Sequence, residues 1–262
     1  MDVSKVSKFA TRAREAGFRR VWVLSRDAVE NAFAPSDVHT STQPPALPPP
    51  STFHPGYTRA LLLASPGRWL WEHLQAESDR VPDPADDPLD RFTELSVEAL
   101  ANGLRKHDPT LVTTYPFRHE RQLLGFPRLT AGIPWSSPAP LGILVDPVHG
   151  PWFAWRALLL TRLDLPVTPL PDPSPCVECI AASPAGRSPC IATCPAKAVK
   201  APGFDWESCA KHRLENAPCQ SACPARLACP VGAGERYGPE QLHHHYTASL
   251  RVIRRWKDSK NS

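Results

Sequence analysis

Residues 176–230 read CVECIAASPAGRSPCIATCPAKAVKAPGFDWESCAKHRLENAPCQSACPARLACP and hold all eight cysteines of a 262-residue chain. Their spacing is Cys176-x2-Cys179-x10-Cys190-x3-Cys194-Pro195, then Cys209-x9-Cys219-x3-Cys223-Pro224, and last Cys229-Pro230. Eight thiolates are the complement of two [4Fe–4S] clusters, four to each. Proline after a closing cysteine suits a sharp turn, because its ring fixes φ and cannot continue a helix. Two other chemistries use eight cysteines. Disulfides staple short secreted chains, whereas this chain is long and opens without a secretory signal. Zinc ribbons carry two short Cys-x2–4-Cys knuckles per site, and only Cys176/Cys179 is such a knuckle here. The spacing favours the clusters.

The opening x2 and closing x3-Cys-Pro of the first run resemble the two-cluster ferredoxin pattern, Cys-x2-Cys-x2-Cys-x3-Cys-Pro. The middle spacing has grown to ten residues, Ile180 to Pro189, and the second run keeps only a terminal Cys-Pro. In such ferredoxins the fourth cysteine of each run ligates the other cluster. The resemblance thus implies one cluster on Cys176, Cys179, Cys190 and Cys229, and a second on Cys209, Cys219, Cys223 and Cys194. Cys223 is itself followed by proline, so the roles of Cys223 and Cys229 are interchangeable at this level.

The length leaves room for one large domain or two small ones. It also allows a substantial core, so the cysteines need not staple a miniature fold. A net charge of +4 is mild and gives no argument for a nucleic-acid partner. The 32 prolines favour loops over long helices. No apolar run reaches the length of a membrane span. Eight thiolates place the chain in a reducing cytoplasm.

Upstream of the cysteines, Leu163 to Pro175 reads as a semi-rigid proline-rich link. Before it, Leu141–Val145 and Trp152–Thr161 are expected to pair as antiparallel strands joined through Val148-His149-Gly150. Nearer the N-terminus, periodicity predicts helices over Val3–Ala16, Trp69–Glu77 and Pro88–Lys106, and strands over Arg20–Leu24, Arg59–Ser65 and Leu111–Phe117. The third helix is expected to bury Phe92, Leu95, Ala99 and Leu104. Breaker-rich or irregular stretches fall at 34–50, 82–88 and 118–140. Downstream, Pro239–Trp256 predicts a last helix with Leu242, Tyr246, Leu250 and Ile253 on one face. The mixture indicates an α+β fold with an antiparallel or mixed sheet. Gly-x-Gly at Gly232 and Gly234 lacks the preceding strand and third glycine of a dinucleotide loop.

The stretch PLGILVDPVHGPWFAWRALLL (140–160) resembles the hairpin of the cobalamin-processing chaperones of the CblC type, Gly-x-x-x-His-Pro-x-x-Gly-x-Trp-Phe-x-x-Arg-Gly. Thr52-Phe53-His54-Pro55, Asp87-Pro88-Leu89-Asp90 and Glu235-Arg236-Tyr237 fall in the same order as in that family. The order hairpin, Leu163-Asp164-Leu165-Pro166, proline link, Cys-x2-Cys, Cys-Pro is similar to that of epoxyqueuosine reductases and reductive dehalogenases. In those proteins a nitroreductase-like corrinoid domain precedes two [4Fe–4S] clusters. The resemblance implies a nitroreductase-like (CblC-like) domain over 1–170 and a ferredoxin-like two-cluster module over 171–233. It further implies a C-terminal helix over 234–262 that packs back on the first domain. There are departures. Asp146 stands where the CblC motif has histidine, and Ala157 replaces the glycine after the arginine. Residues 128–141 contain neither the aspartate donor nor the Gly-Leu-Gly-x-x-Gly-Lys run of epoxyqueuosine reductases. A tRNA-modifying activity is poorly supported.

By the same resemblance, Arg156 and Arg236 bind anionic groups in a corrinoid pocket, Arg156 toward a thiol cosubstrate. Trp152 and Phe153 would wall the macrocycle, although aromatic residues on such a strand equally build core. Arg156 equally fits a structural arginine paired with a carboxylate. His54 and His149 lie in loops expected near that pocket. His243, His244 and His245 point in different directions on a helix and cannot share one metal. No catalytic residue is assigned. The expected function is an iron–sulfur oxidoreductase that takes single electrons from a donor protein or reductase. It passes them through two [4Fe–4S] clusters to a cobalamin-type corrinoid, with a corrinoid or thiol as its small-molecule partner. The alternatives are a ferredoxin-type electron carrier and a zinc-stabilised binding module.

Overall fold

The computed structural model describes residues 3–33, 48–81, 87–118, 129, 137–169, 175–181, 183, 188–200 and 203–260. The strands are β1 (Arg20–Ser25), β2 (Arg59–Pro66), β3 (Val112–Thr114), β4 (Ser137–Pro138), β5 (Leu144–Val145) and β6 (Phe153–Thr161). The helices are α1 (Val3–Glu15), α2 (Arg26–Phe33), α3 (Trp69–Ala76), α4 (Pro88–Arg105), α5 (Pro175–Ala181), α6 (Pro189–Ala192), α7 (Trp206–Glu215), α8 (Ala217–Ser221), α9 (Pro224–Leu227) and α10 (Pro239–Lys260). The expected loops at 34–47, 82–86, most of 119–136 and 170–174 lie outside the described residues. The chain forms two compact units, 1–135 with 154–171, and 136–153 with 172–262. This division differs from the expected boundaries at 170 and 233. Residues 136–153 and the last helix fold with the cysteines.

The first unit carries a four-stranded sheet in the order β1-β2-β6-β3. β1 runs antiparallel to β2, with Trp22 opposite Leu62, and β3 runs antiparallel to β6, with Thr113 opposite Leu159. Alternation along β1 and β2 sends Val23, Leu61 and Leu63 into one core with Phe9, Leu70, Phe92, Val97 and Leu159. α4 is started by Asp87, whose carboxylate accepts from the Leu89 and Asp90 amides at 3.0 and 3.3 Å, with Pro88 in the first turn. Its buried stripe runs through Leu89, Phe92, Ser96, Val97, Ala101 and Leu104. The expected Ala99 is exposed and Leu95 half-buried. Thr93 is tolerated inside because its hydroxyl donates to the Leu89 carbonyl at 2.7 Å. In α3 the buried pair is Leu70 and Leu74, while Trp69 lies outward under the Arg19 guanidinium.

Asp108 closes this unit. One carboxylate oxygen accepts from the Thr161 hydroxyl at 2.6 Å and the Arg162 amide at 2.7 Å. The other accepts from the Thr110 hydroxyl and amide. The approach to β3 is thereby tied to the end of β6.

In the second unit the expected hairpin is corrected. β5 pairs with β4, Leu144 opposite Pro138, and not with β6. What joins β5 to β6 is a tight turn closed by two backbone hydrogen bonds between Asp146 and Gly150. Asp146 is buried and accepts the Val148 and His149 amides at 2.8 and 2.7 Å. An aspartate there builds the turn itself, which accounts physically for its presence in place of histidine. The helices around the cysteines are short because prolines restart the chain repeatedly. α10 packs on α7 and α8. Trp206 meets Trp256 edge-on at 4.8 Å, and Leu242, Leu250 and Ile253 are buried along the predicted face. Among the described residues no helix is long and apolar enough to cross a membrane.

Candidate metal centre

Six of the eight cysteines adjoin a proline. Pro175-Cys176, Pro189-Cys190 and Pro218-Cys219 put a thiol in the first turn of α5, α6 and α8. Cys223 is the residue that opens α9, and its sulfur accepts the Arg226 amide at 3.4 Å.

The thiols sort into two sets of four. Cys176, Cys179, Cys190 and Cys229 line one small cavity of about 20 Å³, walled by Leu141, Val145 and Ile180. Cys194, Cys209, Cys219 and Cys223 line a second, of about 210 Å³, with Ile143, Phe204, His212 and Tyr246. Electrostatics divide them in the same way. Burial pushes the Cys209 thiol up to about 11, with Cys223, Cys194 and Cys219 adding to it. Burial also raises Cys219, and there the neighbouring thiols are Cys223 and Cys194. Cys229 is raised by burial and by Cys190 and Cys179, against the Val231 amide and Arg236, which lower it. Each set takes three cysteines from one run and one from the other. Cys223 lies with Cys209 and Cys219, and Cys229 with the first run.

The loop carrying Cys229 is held by backbone contact. Gly150 has φ +60 and Gly232 φ +65. A Cβ on Gly150 would stand 2.7 Å from the Val231 carbonyl carbon, and one on Gly232 2.9 Å from the Gly150 nitrogen. The turn after β5 and the chain after Cys229 therefore approach as closely as they do only because both residues are glycine. The sequence singles out Gly232 only as half of a Gly-x-Gly pair that is not a dinucleotide loop, since a glycine required by a close approach looks like any loop glycine until the approaching backbone is known.

These donors fit a cluster. Each cavity offers four thiols in largely apolar walls, with N–H or O–H donors to sulfur. The Ser188 hydroxyl lies 3.2 Å from the Cys190 sulfur, and the Arg226 amide bonds Cys223. Such donors tune cluster potential. Among the described residues no three His, Cys, Asp or Glu side chains converge as on a single metal ion.

The residues expected around a corrinoid fall in different places. Arg156 lies in the first unit, 6% exposed, with its Nε donating to the Ser65 hydroxyl at 2.8 Å and Nη1 4.0 Å from the Asp90 carboxylate. Trp152 lies in the second unit, fully buried, edge-on to Tyr237 at 5.4 Å and beneath the Arg226 guanidinium. Phe153 is half-buried. Arg236 donates to the Cys229 carbonyl at 3.4 Å, which places it beside the first set of thiols. His149 stands 3.8 Å from the Glu235 carboxylate. His54 is buried in the first unit, where burial and then Arg162 lower its pKa. His243 is exposed, while His244 and His245 stack edge-on at 5.3 Å.

No family model matches the sequence, and no curated protein matches it. Solved structures do. Epoxyqueuosine reductase from Streptococcus thermophilus superposes with a TM-score of 0.55 at 12% identity over 89% of this chain and 67% of that one. An epoxyqueuosine reductase bound to an epoxyqueuosine-modified tRNA stem loop gives 0.57 at 11% identity, over 93% and 69%. The B12-trafficking protein CblC of C. elegans gives 0.50 at 16% identity, over 97% of both chains. At these identities the likeness is one of fold: a mixed α/β chain with an antiparallel sheet.

Proposed function

We propose that this chain is an iron–sulfur protein that passes single electrons through two [4Fe–4S] clusters. The observation that carries the reading is the sorting of eight cysteines into two cavities, four to each, with one cysteine exchanged between the runs. Bound clusters would supply one-electron redox chemistry. The chain's own part is to hold thiolates in apolar walls, to limit water, and to aim N–H and O–H donors at sulfur. The acceptor suggested by the fold likeness to CblC and epoxyqueuosine reductase is a corrinoid. The residues expected to bind one are divided between the two units, Arg156 in the first and Trp152, Phe153 and Arg236 in the second.

Anaerobically prepared protein should contain about eight irons and eight sulfides per chain. Colourless protein with stoichiometric zinc would overturn the reading. Titration with hydroxocobalamin then separates two functions. A spectral shift with saturable binding supports a corrinoid reductase. Its absence supports an electron carrier, the reading favoured by the burial of Trp152 and by the bond from Arg156 to Ser65.

A further inference from the structure

The second cavity contains more than its four thiols. Arg213 and Arg226 both line it. Arg213 donates from Nε to the Cys219 carbonyl at 3.0 Å, and from Nη2 to the Tyr246 carbonyl at 3.1 Å and the Ser249 hydroxyl at 2.9 Å. Its guanidinium lies 5.1 Å from the Tyr246 ring. Arg226 donates to the Pro151 carbonyl at 2.5 Å. Its guanidinium lies 4.6 Å from the Trp152 ring and 4.9 Å from the Tyr237 ring, and its Nε is buried with no hydrogen-bond partner among the described residues. Carbonyls, hydroxyls and π faces hold both cations. Among the described residues neither is paired with a carboxylate.

Two half-buried guanidiniums that line one cavity repel each other, and an anion in that cavity relieves the repulsion. The anionic groups that a bound cluster would bring to that cavity are its thiolate sulfurs. Resting on the cluster reading above, we propose that Arg213 and Arg226 are positioning residues for charge. They hold two fixed cations against the cluster of Cys194, Cys209, Cys219 and Cys223, and so make it easier to reduce. Reduction adds one electron, and one negative charge, to a thiolate-bound cluster that is already anionic. Nearby fixed positive charge stabilises the reduced form more than the oxidised form. This cluster, whose cavity the two arginines line, is affected more than the other. The other set of thiols has Arg236 beside it, with Glu235 next in sequence.

The test is an anaerobic redox titration of the full chain with dithionite and mediator dyes, read by electron paramagnetic resonance. Cys194→Ala protein identifies which signal belongs to which site. Arg213→Gln and Arg226→Gln keep a hydrogen-bond donor and remove the charge. Each is expected to lower the reduced-to-oxidised ratio of this one cluster about tenfold at the wild-type midpoint, a shift of ~59 mV for one electron. Arg213→Lys and Arg226→Lys are expected to keep most of the potential. Glutamine variants with full iron content and two unshifted midpoints would overturn the proposal. If a glutamine variant loses iron at this site while its lysine counterpart keeps iron and potential, the requirement for charge stands. If the lysine variants lose the iron as well, the arginines serve packing and the proposal falls. Wild-type protein without iron–sulfur signals defeats the cluster reading itself, an outcome distinct from unshifted midpoints.

Discussion

Replacing Gly150 by alanine reaches the Cys229 loop without touching a cysteine. Two effects add. The residue sits at φ +60, where an L-side chain is strained by roughly 1–2 kcal/mol. The new Cβ also stands 2.7 Å from the Val231 carbonyl carbon, where ordinary contact begins near 3.4 Å, so the backbone must retreat by roughly 0.7 Å or more. No flexible side-chain end is available to absorb the shift, because the opposing atoms are main chain. Overpacking of this kind costs about 1–3 kcal/mol, which brings the total to roughly 2–5 kcal/mol. Val231 is two residues from Cys229, so the strain falls on the one thiol that the second run contributes to the first cavity. The expected result is loss of about four irons while the other four remain. Gly203→Ala is the control. Gly203 also has positive φ, +101, but a Cβ there meets nothing within 4 Å. Iron and sulfide analysis with urea melts under anaerobic conditions would compare the two. If Gly150→Ala keeps all its iron and is destabilised no more than Gly203→Ala, the contact does not position Cys229.

Cys194→Ala is expected to remove the iron of one site only, with Cys176, Cys179, Cys190 and Cys229 still loaded; loss of all iron, or of none, in a stoichiometric assay would refute the sorting. Asp108→Asn is expected to lower stability by roughly 2 kcal/mol at neutral pH. Burial alone would raise the Asp108 pKa, but the hydroxyl and amide donors from Thr110, Thr161 and Arg162 overcome it and hold it at about 2. A depressed carboxylate stabilises the fold above its unfolded pKa and loses that contribution as pH falls from about 4 toward 2, so urea melts across this window should flatten in the mutant. Arg156→Lys should leave iron content unchanged and weaken the first unit by about 1–3 kcal/mol through loss of the bond to Ser65; an unchanged melt with weakened cobalamin binding would instead place the arginine in a ligand site. Fully reduced protein should show magnetic coupling between its clusters, absent in Cys194→Ala, and two unperturbed signals in the wild type would contradict the compact arrangement of the sites.

Elements with long apolar runs or a cap were legible. Arg59 to Ser65 reads as a buried strand and is one, and Asp87-Pro88 announces α4 by its side-chain chemistry. The face of α4 was harder, since the polar residues Thr93 and Ser96 are buried in it, Thr93 through a local bond to the Leu89 carbonyl that hydropathy does not register. The hairpin was misread for a related reason. Leu141 to Val145 has the composition of a strand, but its pairing partner, 137–138, is two residues long and holds a proline. The turn at Asp146–Gly150 is built by a side chain rather than by extended pairing. Among the candidate site residues, the cysteines were legible because their spacing is chemical. Arg213 and Arg226 were not, because nothing in a linear sequence tells a paired surface arginine from one that stacks beside thiols.

The short spacers within the cysteine runs have a consequence for how the two sites relate. Cys190 and Cys194 are four residues apart, Cys190 lies in the one-turn helix α6, and the two line different cavities. A helical turn of that length advances the chain by roughly 6 Å. Cys223 and Cys229 make the same crossing in the opposite direction, with the one-turn helix α9 between them. Two independent tethers, each little more than a turn long, fix the two sets of thiols as near neighbours, whatever the length of chain between Cys179 and Cys190. An insertion there falls between two thiols of one set and leaves the crossing intact. Such an insertion is the change that obscures the ferredoxin spacing in this sequence, and the tethers explain why it does not alter the sorting.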